Sequence, residues 1–139
     1  MPQEIAAGFW RPKLDRIAER MRIVHKLLID EAKREYERTR GPIKGPYALF
    51  ALVAQDPFFS WLQPMTRLIV EVDDLIDRKD KPLAKEDLEG VRSRFDGLLA
   101  ARTETFSIRY LDLLHTSPDV VAEHGRLQAA LHVVGSKTT

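Results

Sequence analysis

The chain has no cysteine among its 139 residues. That excludes disulfides, thiolate zinc sites and a cysteine nucleophile. It also has little net charge: 22 Lys and Arg stand against 21 Asp and Glu, for a formal charge of +1. The totals therefore supply no field to steer nucleic acid or an anionic membrane. No stretch approaches the roughly 18 consecutive apolar residues that span a bilayer. The first residues, Met1 to Pro12, include Glu4 and lack an unbroken apolar run, so they do not read as a signal peptide. A cytoplasmic setting is expected. Several motifs are missing too. There is no Gly-x-Gly-x-x-Gly, no Walker loop, no Gly-x-Ser-x-Gly elbow and no Glu-x-x-His. No Asn-Gly dipeptide occurs, and no long run alternates apolar with polar, so strands are not expected. No cofactor is expected.

What is present is apolar periodicity at helical spacing. With 44% hydrophobic and 31% charged residues, the composition suits a folded helical domain. The reading is an all-α chain forming one domain over 1–139: an antiparallel four-helix-type bundle with a short extra apolar helix near 46–54. Flexible ends are expected at 1–11 and 136–139. A domain of this length buries roughly two-thirds of its unfolded surface, so it needs no metal or cross-link to fold.

Leu14, Ile17, Met21, Val24 and Leu28 recur at spacings of three and four, which sets them on one face of a first helix from Pro12 to Arg40. Gly41-Pro42 stops it, because glycine accepts the left-handed C′ geometry and proline cannot continue a helix. A second Gly-Pro pair, Gly45-Pro46, opens the short run Tyr47 to Ala54. That run is apolar all round, so the helix should be largely buried or covered by a partner. Asp56-Pro57 reads as an N-cap with proline at the first helical position. The stripe that follows is Phe58, Leu62, Met65, Ile69, Val72 and Ile76, and Pro64 inside it predicts a kink or short break. Leu88, Val91, Phe95 and Leu98 share a phase with Phe106, Tyr110 and Leu114. With no proline between them, residues 84–115 read as one long helix, weakest at the β-branched Thr103 and Thr105. Ala84 stands where a capping serine or aspartate is expected. Ser117-Pro118-Asp119 caps and opens a last helix that ends at Gly135.

Two sets of candidate site residues emerge. Aromatic residues gather around the Asp56-Pro57 turn, and with the seam residues they suggest a flat apolar ligand pocket formed by Phe50, Phe58, Trp61, Arg102 and Tyr110. Trp10 and Tyr47 are further candidates for the same cluster. An aromatic plug at one end of the bundle would leave the same pattern. The second set is a metal site. Asp112-x-x-His115 puts two ligand types on one helix face, and His25 could complete it from the first helix. Solvated histidines and a His115 cation at a helix C-terminus are the alternative. Residues 11–44 carry eleven Lys or Arg and six Asp or Glu, and residues 71–96 carry nine Asp or Glu and six Lys or Arg. Opposite local charge suits adjacent helices or two copies of the chain.

The segments His25-Lys26-Leu27-Leu28-Ile29-Asp30, Asp56-Pro57-Phe58-Phe59-Ser60-Trp61-Leu62-Gln63-Pro64 and Phe106-Ser107-Ile108-Arg109-Tyr110-Leu111 resemble a group of short uncharacterised bacterial all-helical proteins. The resemblance covers most of the chain and implies no functional residues. The leading functional expectation is a non-enzymatic bundle that acts through protein–protein contact, as a homodimer. The alternative is a small-molecule or metal-binding bundle that could act as an enzyme, with no nucleic-acid or membrane partner in either case.

Overall fold

The apolar stripes become six α-helices and one 3-10 segment in the computed structural model, with no strand among the described residues. Those are residues 2–102 and 104–135, with side chains described from 8 to 102 and from 104 to 132. The chain is all-α. In order it forms α1 (Pro2–Arg40), α2 (Pro46–Gln55), the 3-10 segment (Pro57–Leu62), α3 (Gln63–Asp77), α4 (Lys85–Ala100), α5 (Thr105–Thr116) and α6 (Pro118–Gly135). No helix among the described residues is long and apolar enough to cross a membrane.

The first helix departs from expectation at its start. It begins at Pro2, so Pro12 lies inside it and residues 2–11 continue its axis. Proline removes one backbone N–H and crowds the carbonyl four residues back. Here that carbonyl belongs to Gly8, where even an added Cβ would meet nothing within 4 Å. Arg11 then ties this part of α1 to α3 by donating from Nη1 to the Ile76 carbonyl at 2.5 Å. Carbonyls in the last turn of a helix lack partners within it, so this bond serves both elements. The expected free end at 136–139 lies outside the described residues.

At the other end of α1 the turn is built as its glycines predict. Gly41 and Gly45 have φ of 93° and 94°, a conformation that other residues rarely adopt. Glu37 locks the turn by accepting from the Ile43 N–H at 2.8 Å.

Asp56 caps through its side chain, which accepts from the Phe58 N–H at 2.8 Å. It opens a 3-10 turn rather than an α-helix, and α3 starts only at Gln63. The break expected at Pro64 is thus a change of helix type. Pro64 sits in the first turn of α3, where its missing N–H costs nothing.

The long helix expected over 84–115 is two helices. It stops at Ala100 and restarts at Thr105. Ser107 holds the corner by donating to the Ala101 carbonyl, and its hydroxyl also lies 3.1 Å from the Glu104 carbonyl. A buried serine whose hydroxyl donates to the Ala101 carbonyl stabilises a bend that a straight helix would not need. Thr103, the expected weak point, lies outside the described residues.

The long α1 packs along α6 and α3, and α4 and α5 close the assembly against α3 and α6. Leu14, Ile17, Met21, Val24 and Leu28 are all buried, as are Met65, Val72, Leu88, Val91, Phe95 and Tyr110. The complementary charge joins neighbouring helices: Arg22 pairs with Asp73 between α1 and α3, and Arg94 with Glu71 between α4 and α3 at 2.8 Å.

One expectation about burial fails in an informative way. None of the residues of the apolar α2 is buried. It rests against the 3-10 segment through the half-buried Leu49, Leu52 and Val53. Tyr47, Phe50, Ala51 and Ala54 share its other face and are exposed, Tyr47 at 90% and Phe50 at 75%.

Candidate functional site

Trp61 lies next to the end of the 3-10 segment, and its surroundings decide what the aromatic cluster is. Phe58 and Trp61, three residues apart in this segment, are claimed by different helices. Phe58 packs edge-on to Tyr36, ring centroids 5.3 Å apart, with the Arg40 guanidinium 5.2 Å from its centre. Trp61 is taken by α5. Its ring lies 6.4 Å from that of Phe106, and the Arg109 guanidinium stands 4.8 Å over it. Arg109 is itself held by Glu35 of α1, Nη2 donating to both carboxylate oxygens at 3.0 and 3.1 Å.

Beside Trp61 a cleft of about 500 Å³ opens between the start of α3 and the α4–α5 corner. Its apolar wall includes Trp61, Pro64, Leu98 and Phe106, and Arg67 and Glu104 also line it. The break between α4 and α5 makes this space, since a continuous helix would carry Phe106 away along its axis.

The five residues expected to form one pocket are therefore dispersed. Trp61 alone lines this cleft. Phe50 is on the exposed face of α2, and Phe58 is bound to α1. Arg102 falls in the α4–α5 connection and is exposed, because the helix break removes it from the seam. Tyr110 is fully buried in the core. Of the two further candidates, Trp10 pairs with Phe9 near the start of α1 and Tyr47 projects from α2.

The residues proposed for a metal do not converge. No group of three or more His, Asp or Glu side chains among the described residues is close enough to hold an ion. His25 faces the Thr66 hydroxyl of α3, with Nε2 3.0 Å from it. Asp112 and His115 are exposed on α5. Burial lowers the His25 pKa below the usual 6.5.

A polar pair that sequence reading missed lies in the core. The Tyr110 hydroxyl of α5 is 2.8 Å from Nδ1 of His124 on α6. Phe95 of α4 meets Tyr110 edge-on at 6.1 Å and tilts against His124 at 6.3 Å. Burial holds the Tyr110 hydroxyl protonated by raising its pKa, and burial lowers that of His124. A neutral His124 with its proton on Nε2 accepts from the Tyr110 hydroxyl. No spacing could reveal this pair, because its members lie on separate helices.

A second cleft, of about 450 Å³, runs between α1 and α6 and is lined by Lys13, Arg16, Arg20 and Arg126. Its charge is partly spoken for. Glu123 pairs with Arg20 at 3.3 Å and Arg126 at 2.6 Å, and Lys13 lies over the Phe9 ring at 4.7 Å. No family model, curated protein or solved structure matches the chain.

Proposed function

We propose that this chain acts through protein–protein contact, and that its contact element is the outer face of α2. The observation that carries the reading is a helix with no buried residue whose exposed face is Tyr47, Phe50, Ala51 and Ala54. Spacings of three, four and seven put these four on one line along the helix. A free helix surface normally presents charged or polar groups there. Leaving Tyr47 and Phe50 in water gives up roughly 1.5–3 kcal/mol for each large side chain that a partner would restore.

The proposed occupant is a second copy of the chain, related by two-fold symmetry. In such an interface each patch meets itself, which an uncharged apolar strip tolerates and a charged one does not. The small Ala51 and Ala54 allow a second α2 to approach closely. Charge complementarity between residues 11–44 and 71–96 lends the dimer little, because Arg22 and Asp73 already meet within one chain. The same reading takes α1, α3, the α4–α5 pair and α6 as an antiparallel four-helix-type bundle in a cytoplasmic protein. The single-residue link at Ser117 and the short 78–84 connection favour antiparallel neighbours.

Light scattering at micromolar concentration tests the proposal. A mass near twice 16.0 kDa is expected, falling to the monomer in Phe50→Glu. A clean monomer at all concentrations would refute self-association. Substitution at Phe50 should leave the melting temperature of the separated monomer nearly unchanged, since the side chain is exposed.

A further inference from the structure

The groove between α1 and α6 is independent of the α2 face and carries a second reading. Its volume of about 450 Å³ falls within the range of small-molecule sites. Four of its lining residues are cations: Lys13, Arg16 and Arg20 from α1, and Arg126 from α6. The others, Ala129 and Ala130, are short enough to leave the space between the helices open. Asp15 and Glu19, the acidic residues interleaved with these cations along α1, do not line it.

Spacings of three and four set Lys13, Arg16 and Arg20 on one edge of α1. Their neighbours fix several of them in place. Glu123 accepts from Arg20 at 3.3 Å and from Arg126 at 2.6 Å, so one carboxylate holds an arginine from each helix. Lys13 stands 4.7 Å over the Phe9 ring, a contact that positions the ammonium without cancelling its charge. Arg16 lies between Lys13 and Arg20 in this row and forms no ion pair among the described residues. Four cations against one carboxylate leave a surplus of three positive charges, in a chain whose formal total is +1. A cleft lined by one sign of charge concentrates the field between its walls and draws in the opposite sign.

We propose that this groove binds a small soluble molecule through a phosphate monoester or diphosphate group. Guanidinium forks match phosphate oxygens in geometry and donate charge-assisted hydrogen bonds to them. Charge sets the class of ligand. A phosphate monoester carries about −1.5 to −2 at pH 7, and a diphosphate carries more, close to the local surplus. The phosphodiesters of lipid headgroups and nucleic-acid strands bring only a single charge per phosphate. In the occupied groove Arg16 and Lys13 grip the phosphate oxygens, while Glu123 keeps Arg20 and Arg126 aligned from the two helices.

The test is a titration of the nitrogen-15-labelled protein in about 150 mM NaCl, where long-range attraction between exposed charges is largely screened. The probes are phenyl phosphate, inorganic pyrophosphate and the monoanionic diester dimethyl phosphate. The first two should move the amide signals of residues 13–20 and 123–130 and saturate. Dimethyl phosphate should bind roughly tenfold more weakly or worse, the worth of one charge-assisted hydrogen bond. Arg16→Gln should weaken phenyl phosphate and pyrophosphate by about the same factor. Lys44→Gln removes the same charge from the α1–α2 connection, away from the groove, and should leave both affinities unchanged. Arg16 and Lys44 are exposed, so both variants keep the parent spectrum elsewhere. The proposal is overturned if neither probe gives saturating shifts by about 10 mM, tenfold above a millimolar Kd. It is equally overturned if the shifts fall outside those two segments, if the diester binds as tightly as the monoester, or if the two variants behave alike.

Discussion

Tyr110 and His124 offer a prediction whose magnitude follows from their unequal burial. Tyr110 is fully buried, while His124 is half-buried and reaches water. Their 2.8 Å bond joins α5 to α6. Tyr110→Phe removes the bond but leaves a histidine that can turn to solvent, so the loss should be about 1 kcal/mol. His124→Leu leaves the Tyr110 hydroxyl without a partner inside the core, and desolvation raises that loss to about 2–3 kcal/mol. Making both changes removes donor and acceptor together, and the double variant should lose only about 1 kcal/mol. The two single losses then exceed the double loss by roughly 2–3 kcal/mol, well outside the scatter expected of independent sites. Urea titration with linear extrapolation measures all four corners of the cycle. For a chain of this length each 1 kcal/mol should also appear as roughly 3–5 °C in Tm. Additive losses, agreeing within about 0.5 kcal/mol, would show that the pair is not coupled and refute the reasoning.

Acid should destabilise the fold through the same histidine. Burial lowers the pKa of both His25 and His124, so the unfolded chain takes up protons more readily than the folded one. Their contribution is complete above the ordinary value of 6.5 and is lost as pH falls from there toward the depressed folded values. Chemical denaturation between pH 8 and pH 5 should show that decline, and His124→Leu should make it shallower, leaving the share that His25 contributes. Ala84 is the N-cap of α4, and Asp87 already accepts from its N–H at 2.9 Å. Ala84→Ser completes the reciprocal capping bond and should add about 0.5–1 kcal/mol in a urea titration. Phe95 is fully buried against both Tyr110 and His124, so Phe95→Ala should lose about 3–5 kcal/mol, measured the same way.

Much of the fold was legible because its signals are local. The stripe Leu14–Leu28 named a buried helix face, and every member of it is buried. Gly41, Asp56 and Ser117 marked boundaries through backbone chemistry that acts within a few residues. The failures were also local in origin. Pro12 resembled a start signal, but tertiary packing of α1 tolerates it inside the helix. The phase shared by Phe95 and Tyr110 suggested one helix, whereas Ser107 stabilises a corner between two.

Little of the candidate site could be read in advance. Trp61 was recognised, but its true neighbours Phe106 and Arg109 were not, because they arrive from a helix more than forty residues along the chain. Side-chain periodicity determined which residues face inward and hence that the chain is helical, since burial of an apolar stripe needs only local spacing. Tertiary structure alone decided where α4 breaks, which aromatic residues meet, and that the apolar α2 lies on the outside. Those outcomes depend on how separate helices share a finite interior, and no repeat along a single segment records that competition.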